Sequence, residues 1–174
     1  MRVTKQQAAI NRQRIVDSAI RMFAERGVDG VGVAEVMGDA GFTHGGFYNH
    51  FTSKDDLVLQ ACSTSFARTV ASLRQEDSTA HQDFGACLSA AMLSESSKAD
   101  ELASVYADGL REFLGVLTEQ FGDRERAVTE LARFVGARVI ARAVESADQG
   151  LADEFDSVLH PPQSQGLARL QASS

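Results

Sequence analysis

Tryptophan is absent from these 174 residues, and proline, cysteine and tyrosine occur only twice each. Few prolines, much alanine and few alternating β-branched runs argue against half-buried strands and leave an all-helical chain as the expectation. Cys62 and Cys87 lie 25 positions apart without a CxxC pair, which excludes a zinc ribbon or a disulfide framework. Two reduced thiols in a cytoplasmic protein are the plain expectation. Histidine is equally sparse: His44 and His50 are six apart and do not stack on one helical face, while His81 and His160 have no neighbouring ligand residues. No metal site and no cofactor are expected. Apolar runs are only a few residues long and the start, "MRVTKQQAAINRQR", is basic and polar, so neither a membrane span nor a signal peptide is expected. No nucleophile stands at a meaningful spacing from a base and there is no phosphate loop, which argues against an enzyme.

What the chain does have is enough apolar content, 44%, to bury a core, and a charge that is unevenly spread. The net charge is -7, yet residues 1 to 26 carry Arg2, Lys5, Arg12, Arg14, Arg21 and Arg26 against Asp17 and Glu25. Residues 61 to 174 carry ten basic and seventeen acidic groups. A basic head on an acidic body suits an anion-binding amino-terminal region, although a solvated arginine-bearing helix face would read the same way.

Punctuation divides the chain. Ile10, Ile15, Val16, Ala19, Ile20, Phe23 and Ala24 form one stripe of a helix over 6 to 26, stopped by Gly27. Val33, Val36, Met37 and Ala40 mark a short second helix, with Gly32 at its cap position and no side-chain oxygen there. Gly41 and Phe42 break that pattern, and Thr43 is placed to cap a third short helix running to about His50. Ser53, followed by acids, opens a long fourth helix to about Arg74, with Ser53 and Asp56 as a variant capping box. Two short helices joined by a glycine-containing turn outline a helix-turn-helix. In that outline Phe47 and Phe51 pack inward and Thr43, His44, Tyr48, Asn49 and His50 face outward. Gly45 and Gly46, each costing a helix about 1 kcal/mol, acquire a use if the backbone must approach base edges and phosphates closely. A flexible loop between longer helices is the alternative.

The run "RIVDSAIRMFAERGVDGVGVAEVMGDAGFTHGGFYNHFTSKDDLV", with "FYNHFTSK" in it, resembles the amino-terminal DNA-binding domain of the TetR family of bacterial transcriptional regulators, without a gap over about residues 10 to 60. The resemblance implies a supporting helix at 33 to 40 and a recognition helix at 43 to 49. It implies phosphate contacts from Thr43, Tyr48, His50 and Lys54 and base contacts from His44, Gly45 and Asn49. Gly32 departs from the Ser or Thr often found there, which removes one hydroxyl. It further implies an all-α chain with a helix-turn-helix domain at 1–53 and a helical ligand-binding and dimerisation domain at 54–174.

The function implied is a repressor that binds double-stranded, pseudo-palindromic operator DNA as a homodimer and is released by a small apolar or aromatic inducer, with no membrane partner. For the inducer pocket Phe66, Met92, Tyr106, Leu110, Phe113 and Phe134 are the candidates, although such residues also serve as plain core. No acidic pair or basic cluster in that region marks a charged inducer. Leu102, Val105, Tyr106, Gly109, Leu110, Phe113, Leu114 and Leu117 form one broad apolar face. Val128, Leu131, Ala132, Val135, Val139 and Ile140 form another, and this helix and the "LADEFDSVLH" segment are the dimer candidates, with Gly136 and Ala137 permitting close approach. Monomer core is the competing assignment. The family implies one more helix than residues 76 to 84 can hold, so residues absent at that junction are expected. A repressor triggered by oxidation of Cys62 or Cys87, and a helical carrier that binds no DNA, are the alternatives.

Overall fold

The computed structural model describes residues 4–75 and 99–159. All regular structure among these residues is helical, in agreement with the composition: α1 (Lys5–Arg26), α2 (Val33–Asp39), a 3₁₀ helix η1 (His44–Asn49), α3 (Lys54–Arg74), α4 (Ala99–Phe121), α5 (Arg124–Val144) and α6 (Gln149–Leu159). The chain divides into two compact units, Met1–Gln120 and Phe121–Ser174. His81, Cys87, Met92, His160 and the 76 to 84 junction lie outside the described residues.

Helix boundaries follow local rules. Thr4 caps α1 by accepting the Gln7 N–H at 3.1 Å, and the helix stops where Gly27 turns to φ +75°, a conformation that side chains resist. Ser53 caps α3 by accepting the Asp56 N–H at 3.1 Å, while the Asp56 carboxylate accepts the Thr52 N–H at 2.9 Å. The expected capping box is therefore present, displaced by one residue on its return bond. Gly32 offers α2 no side chain to accept an N–H, so only the return half of a capping box is present, the Glu35 carboxylate accepting the Gly32 N–H at 2.8 Å.

The first unit's core forms where α1 packs on α3 and α2, and α2 packs on η1. Ile15, Val16, Ala19, Ile20 and Phe23 of α1 are buried with Val36 and Met37 of α2, Phe47 and Phe51, and Leu57, Val58, Ala61 and Phe66 of α3. Each large apolar side chain so buried contributes about 1.5–3 kcal/mol. Leu102, Phe113, Val116 and Leu117 of α4 are buried too, on the face their spacing implies. Gly109 lets α4 come against α3, because a Cβ there would run into the Phe66 ring.

Two ion pairs clip α2 to α1. Arg21 binds Asp39, and Arg26 binds Glu35 at 2.8 Å. The Gly32 N–H and then Arg26 hold the Glu35 carboxyl below its ordinary value, and the Ser18 hydroxyl and then Arg21 do the same for Asp39. Carboxyls lowered by folding stabilise the native state above their unfolded values, and that contribution disappears as pH falls through the folded values. Thermal midpoints followed by circular dichroism are therefore expected to fall as pH drops below about 4. Glu35→Gln/Asp39→Asn should show a shallower acid dependence; an identical profile in both proteins would count against the clips.

In the second unit Asp123 caps α5 by accepting the Arg126 N–H at 2.7 Å, and α5 packs against α6. The residues buried on α5 are Ala127, Ala137 and Ala141, with Ala152 on α6. Val128, Val139 and Ile140, on the face read as a dimer candidate with monomer core as the competing assignment, are 46%, 39% and 42% exposed. The alanines make the intramolecular face because their small side chains let two helices approach. Ala137 thus packs inside the unit, while a Cβ at Gly136 would meet nothing within 4 Å.

Candidate nucleic-acid interface

The link between α2 and η1 turns on Gly41, at φ +82°, which the Arg14 guanidinium approaches. Phe42 N–H donates to the Met37 carbonyl at 2.8 Å and closes the end of α2. The next element differs from the sequence reading in two ways. It is a six-residue 3₁₀ helix instead of an α-helix, and the Thr43 side chain makes no capping bond; the Thr43 carbonyl accepts the Gly46 N–H at 3.0 Å instead. Two adjacent glycines weaken an α-helix, and a tight short 3₁₀ segment is what such a sequence sustains. So short an element also has little aligned dipole to attract anions from its amino end.

The two faces of η1 separate as the aromatic spacing implies. Phe47 and Phe51 are 1% and 2% exposed and stack with ring centroids 5.5 Å apart. Thr43, His44, Gly45 and Asn49 are exposed, His50 is half-buried, and Tyr48 is 71% exposed with its ring edge-on to Phe47. Five of the seven sequence-predicted DNA-binding residues therefore sit on one exposed surface, with His50 at its end. Lys54 stands apart: its half-buried ammonium donates to the Val28 carbonyl at 2.7 Å, tying α3 to the loop after α1. Gly45 carries no positive φ, and a Cβ built on it would meet nothing within 4 Å.

The basic first helix is less available than its residue count implies. Arg21 and Arg26 are spent on Asp39 and Glu35, and Asp17 is matched by Arg68 of α3. Arg12 lies over the Phe51 ring, and Arg14 stacks on Phe42 at 5.1 Å. In the sequence both arginines stand out only as part of a charge excess. Their contacts lie far along the chain, so no local pattern reveals them.

Residues 15–61 match the family described as bacterial regulatory proteins, tetR family. That amino-terminal segment is of the TetR family. Within it, the HTH-type transcriptional regulator AcrR of Shigella flexneri is 45% identical over 59 residues, 34% of this chain and 27% of that protein. The HTH-type transcriptional repressor DhaR of Mycobacterium sp. (strain GP1) is 36% identical over 70 residues, 38% of this chain and 35% of that one. These matches span about a quarter to a third of the curated relatives' length. The fold extends further: the transcriptional regulator FadR of Bacillus subtilis, solved in complex with stearoyl-CoA, superposes with a TM-score of 0.55 at 18% identity, covering 84% of this chain and 95% of that one.

Beyond the TetR amino-terminal domain, α3 and α4 flank an open cleft of about 290 Å³ lined by Ser63, Phe66, Ala67, Val105, Asp108, Gly109 and Glu112. Of the inducer candidates, Phe66 lines it and Tyr106 packs edge-on against Phe66 at 5.3 Å. Leu110 is half-buried, Phe113 is buried, and Phe134 belongs to the second unit. Two acidic residues, Asp108 and Glu112, one helical turn apart, also line the cleft. Their spacing puts them on one face, but Arg111 and Arg74 pair with them, the latter at 3.3 Å. Cys62, weighed as a redox trigger, is 1% exposed on the inner side of α3, where a thiol is shielded from oxidants. None of the helices among the described residues is long and apolar enough to cross a membrane.

Proposed function

We propose that this chain is a DNA-binding transcriptional repressor, cytoplasmic, that acts as a homodimer on a pseudo-palindromic operator and is released by a small apolar or aromatic inducer. The observation that carries the reading is the exposed polar surface of η1, Thr43, His44, Tyr48 and Asn49, seated on the buried Phe47–Phe51 pair beside a glycine with open space around it. Such a surface suits a major groove: polar side chains read edges and phosphates while the aromatic pair fixes their height. In this reading Thr43, Tyr48, His50 and Lys54 meet phosphates and His44, Gly45 and Asn49 meet bases. Residues 1–53 form the DNA-binding domain and residues 54–174 the ligand-binding and dimerisation domain.

The repressor name of DhaR and the stearoyl-CoA bound by FadR support repression and a ligand with a large apolar part. The exposed stripe on α5 supports dimerisation. Repression is then steric. An inducer must bind more tightly to a conformation whose two recognition helices are mis-spaced, since only differential affinity shifts a population.

The test is selection of duplexes from a random pool, followed by fluorescence anisotropy at several salt concentrations. Enrichment of a two-fold symmetric site, bound with an affinity that falls steeply with salt, is expected. Absent or salt-independent binding would favour a helical carrier instead. On the selected site Tyr48→Ala should weaken binding on all sequences alike, whereas Asn49→Ala should lose about 1–3 kcal/mol of discrimination at particular base pairs. Uniform loss from both substitutions would contradict the division into phosphate and base contacts.

A further inference from the structure

Three contacts converge on Arg12, a residue of α1 with no place in the recognition surface. Its Nη1 donates to the carbonyl of His50, the residue that ends η1. Its Nη2 donates to Gln60 Oε1 of α3 at 3.2 Å, and its guanidinium carbon lies 4.1 Å from the centre of the Phe51 ring. One planar fork thus joins the end of η1, the aromatic residue beneath it, and α3. A short 3₁₀ helix leaves its last carbonyls without intrahelical partners, and a charge-assisted bond to the terminal one fixes the pitch of the element.

We infer that Arg12 is a positioning residue for DNA recognition: it sets the angle at which Thr43 to Asn49 are presented and couples that angle to α3 through Gln60. The inference rests on the DNA-binding reading above. Arg12 does this by shape as much as by charge. Guanidinium offers five donors in a rigid plane and stacks on an aromatic face, whereas an ammonium is a point charge that cannot hold two separated acceptors and a ring together. The guanidinium already holds a carbonyl, an amide oxygen and a ring, so a phosphate is not its principal partner. Gln60 in turn donates to Thr64 Oγ1 at 3.4 Å, which continues the chain of bonds along α3.

The experiment compares wild type with Arg12→Lys, Arg12→Gln and Gln60→Ala on a duplex enriched by the wild-type protein and on an unrelated duplex of equal length, across salt concentrations, with thermal melts of each protein. Positioning predicts that Arg12→Lys and Arg12→Gln both lose about tenfold on the enriched duplex, with affinity for the unrelated duplex and the salt slope unchanged. If Arg12 instead supplies charge to phosphates, Arg12→Lys would match wild type while Arg12→Gln weakened on both duplexes with a shallower slope, and the inference would be overturned. Equal losses on both duplexes tracking a lower melting temperature would also overturn it, because they describe a merely structural role. Gln60→Ala keeps the guanidinium, the His50 bond and the Phe51 stack, so it reads the α3 arm even where an Arg12 variant does not fold. A several-fold loss confined to the enriched duplex is expected, and no loss would overturn the coupling. Wild-type protein that enriches no duplex would overturn the DNA-binding reading and this inference with it, whereas wild-type binding with unaffected variants would overturn the inference alone.

Discussion

Gly45→Leu is expected to fold as well as wild type and to lose sequence-specific DNA binding, an affinity drop of about a thousandfold or more on a selected operator. Two structural facts separate the fold from the function here. Gly45 does not occupy the left-handed region, and a Cβ built there meets nothing within 4 Å, so the protein alone has no need of glycine at this position. Gly45→Ala should even stabilise the folded state by about 0.4–1 kcal/mol, because it narrows the unfolded ensemble without creating a clash. Leucine, by contrast, would stand between Thr43, Tyr48 and Asn49 on the exposed face and hold them away from the groove. What survives is phosphate attraction without readout. Melting curves and anisotropy titrations of both variants check this: a Gly45→Leu protein that binds its operator as wild type does would show that close approach is not what the glycine provides.

Much of the recognition region was legible because its determinants are local. Gly27 and Ser53 mark helix ends by backbone and capping chemistry, and the four-residue interval between Phe47 and Phe51 places both on one inward face. What was not legible is governed by partners far along the chain. No pattern in the sequence says that Lys54 will reach the Val28 carbonyl, that Arg12 will close η1, or that Arg21 and Arg26 will be matched by Asp39 and Glu35. A count of charges in α1 therefore overstates the field that η1 can present. The distinction between an α-helix and a 3₁₀ helix at His44–Asn49 was also out of reach, since caps and apolar spacing are compatible with both over six residues.

Periodicity on α5 left two assignments open, dimer surface and monomer core. Hydrophobic spacing identifies an apolar face but not what covers it, and α5 has two. Val128, Ala132, Val135 and Val139 follow intervals of four, three and four, the spacing of a seam between helices, and none is among the buried residues. Ala127, Ala137 and Ala141 are buried on another side of the helix, and α5 packs with α6. The small alanines, and not the larger valines, make the closer contact within the unit.

That arrangement yields the second large effect. Val135→Asp/Val139→Asp should convert the proposed homodimer to a monomer of 18.7 kDa and abolish tight operator binding with it. In a two-fold interface each substitution occurs twice, so four carboxylates would enter one apolar seam. Leaving charges buried without partners costs several kcal/mol, and about 4 kcal/mol already weakens association a thousandfold. A monomer presents one recognition element instead of two, so the operator loses half of its contacts and their mutual reinforcement. Sedimentation velocity reads the assembly and circular dichroism the fold. Ala137→Asp supplies the contrast: its side chain would enter the α5–α6 packing, so it should lower the melting temperature at any protein concentration. If the double variant sediments as wild type, or if wild type is itself monomeric at micromolar concentration, the exposed valine seam is not the surface that pairs two copies of the chain.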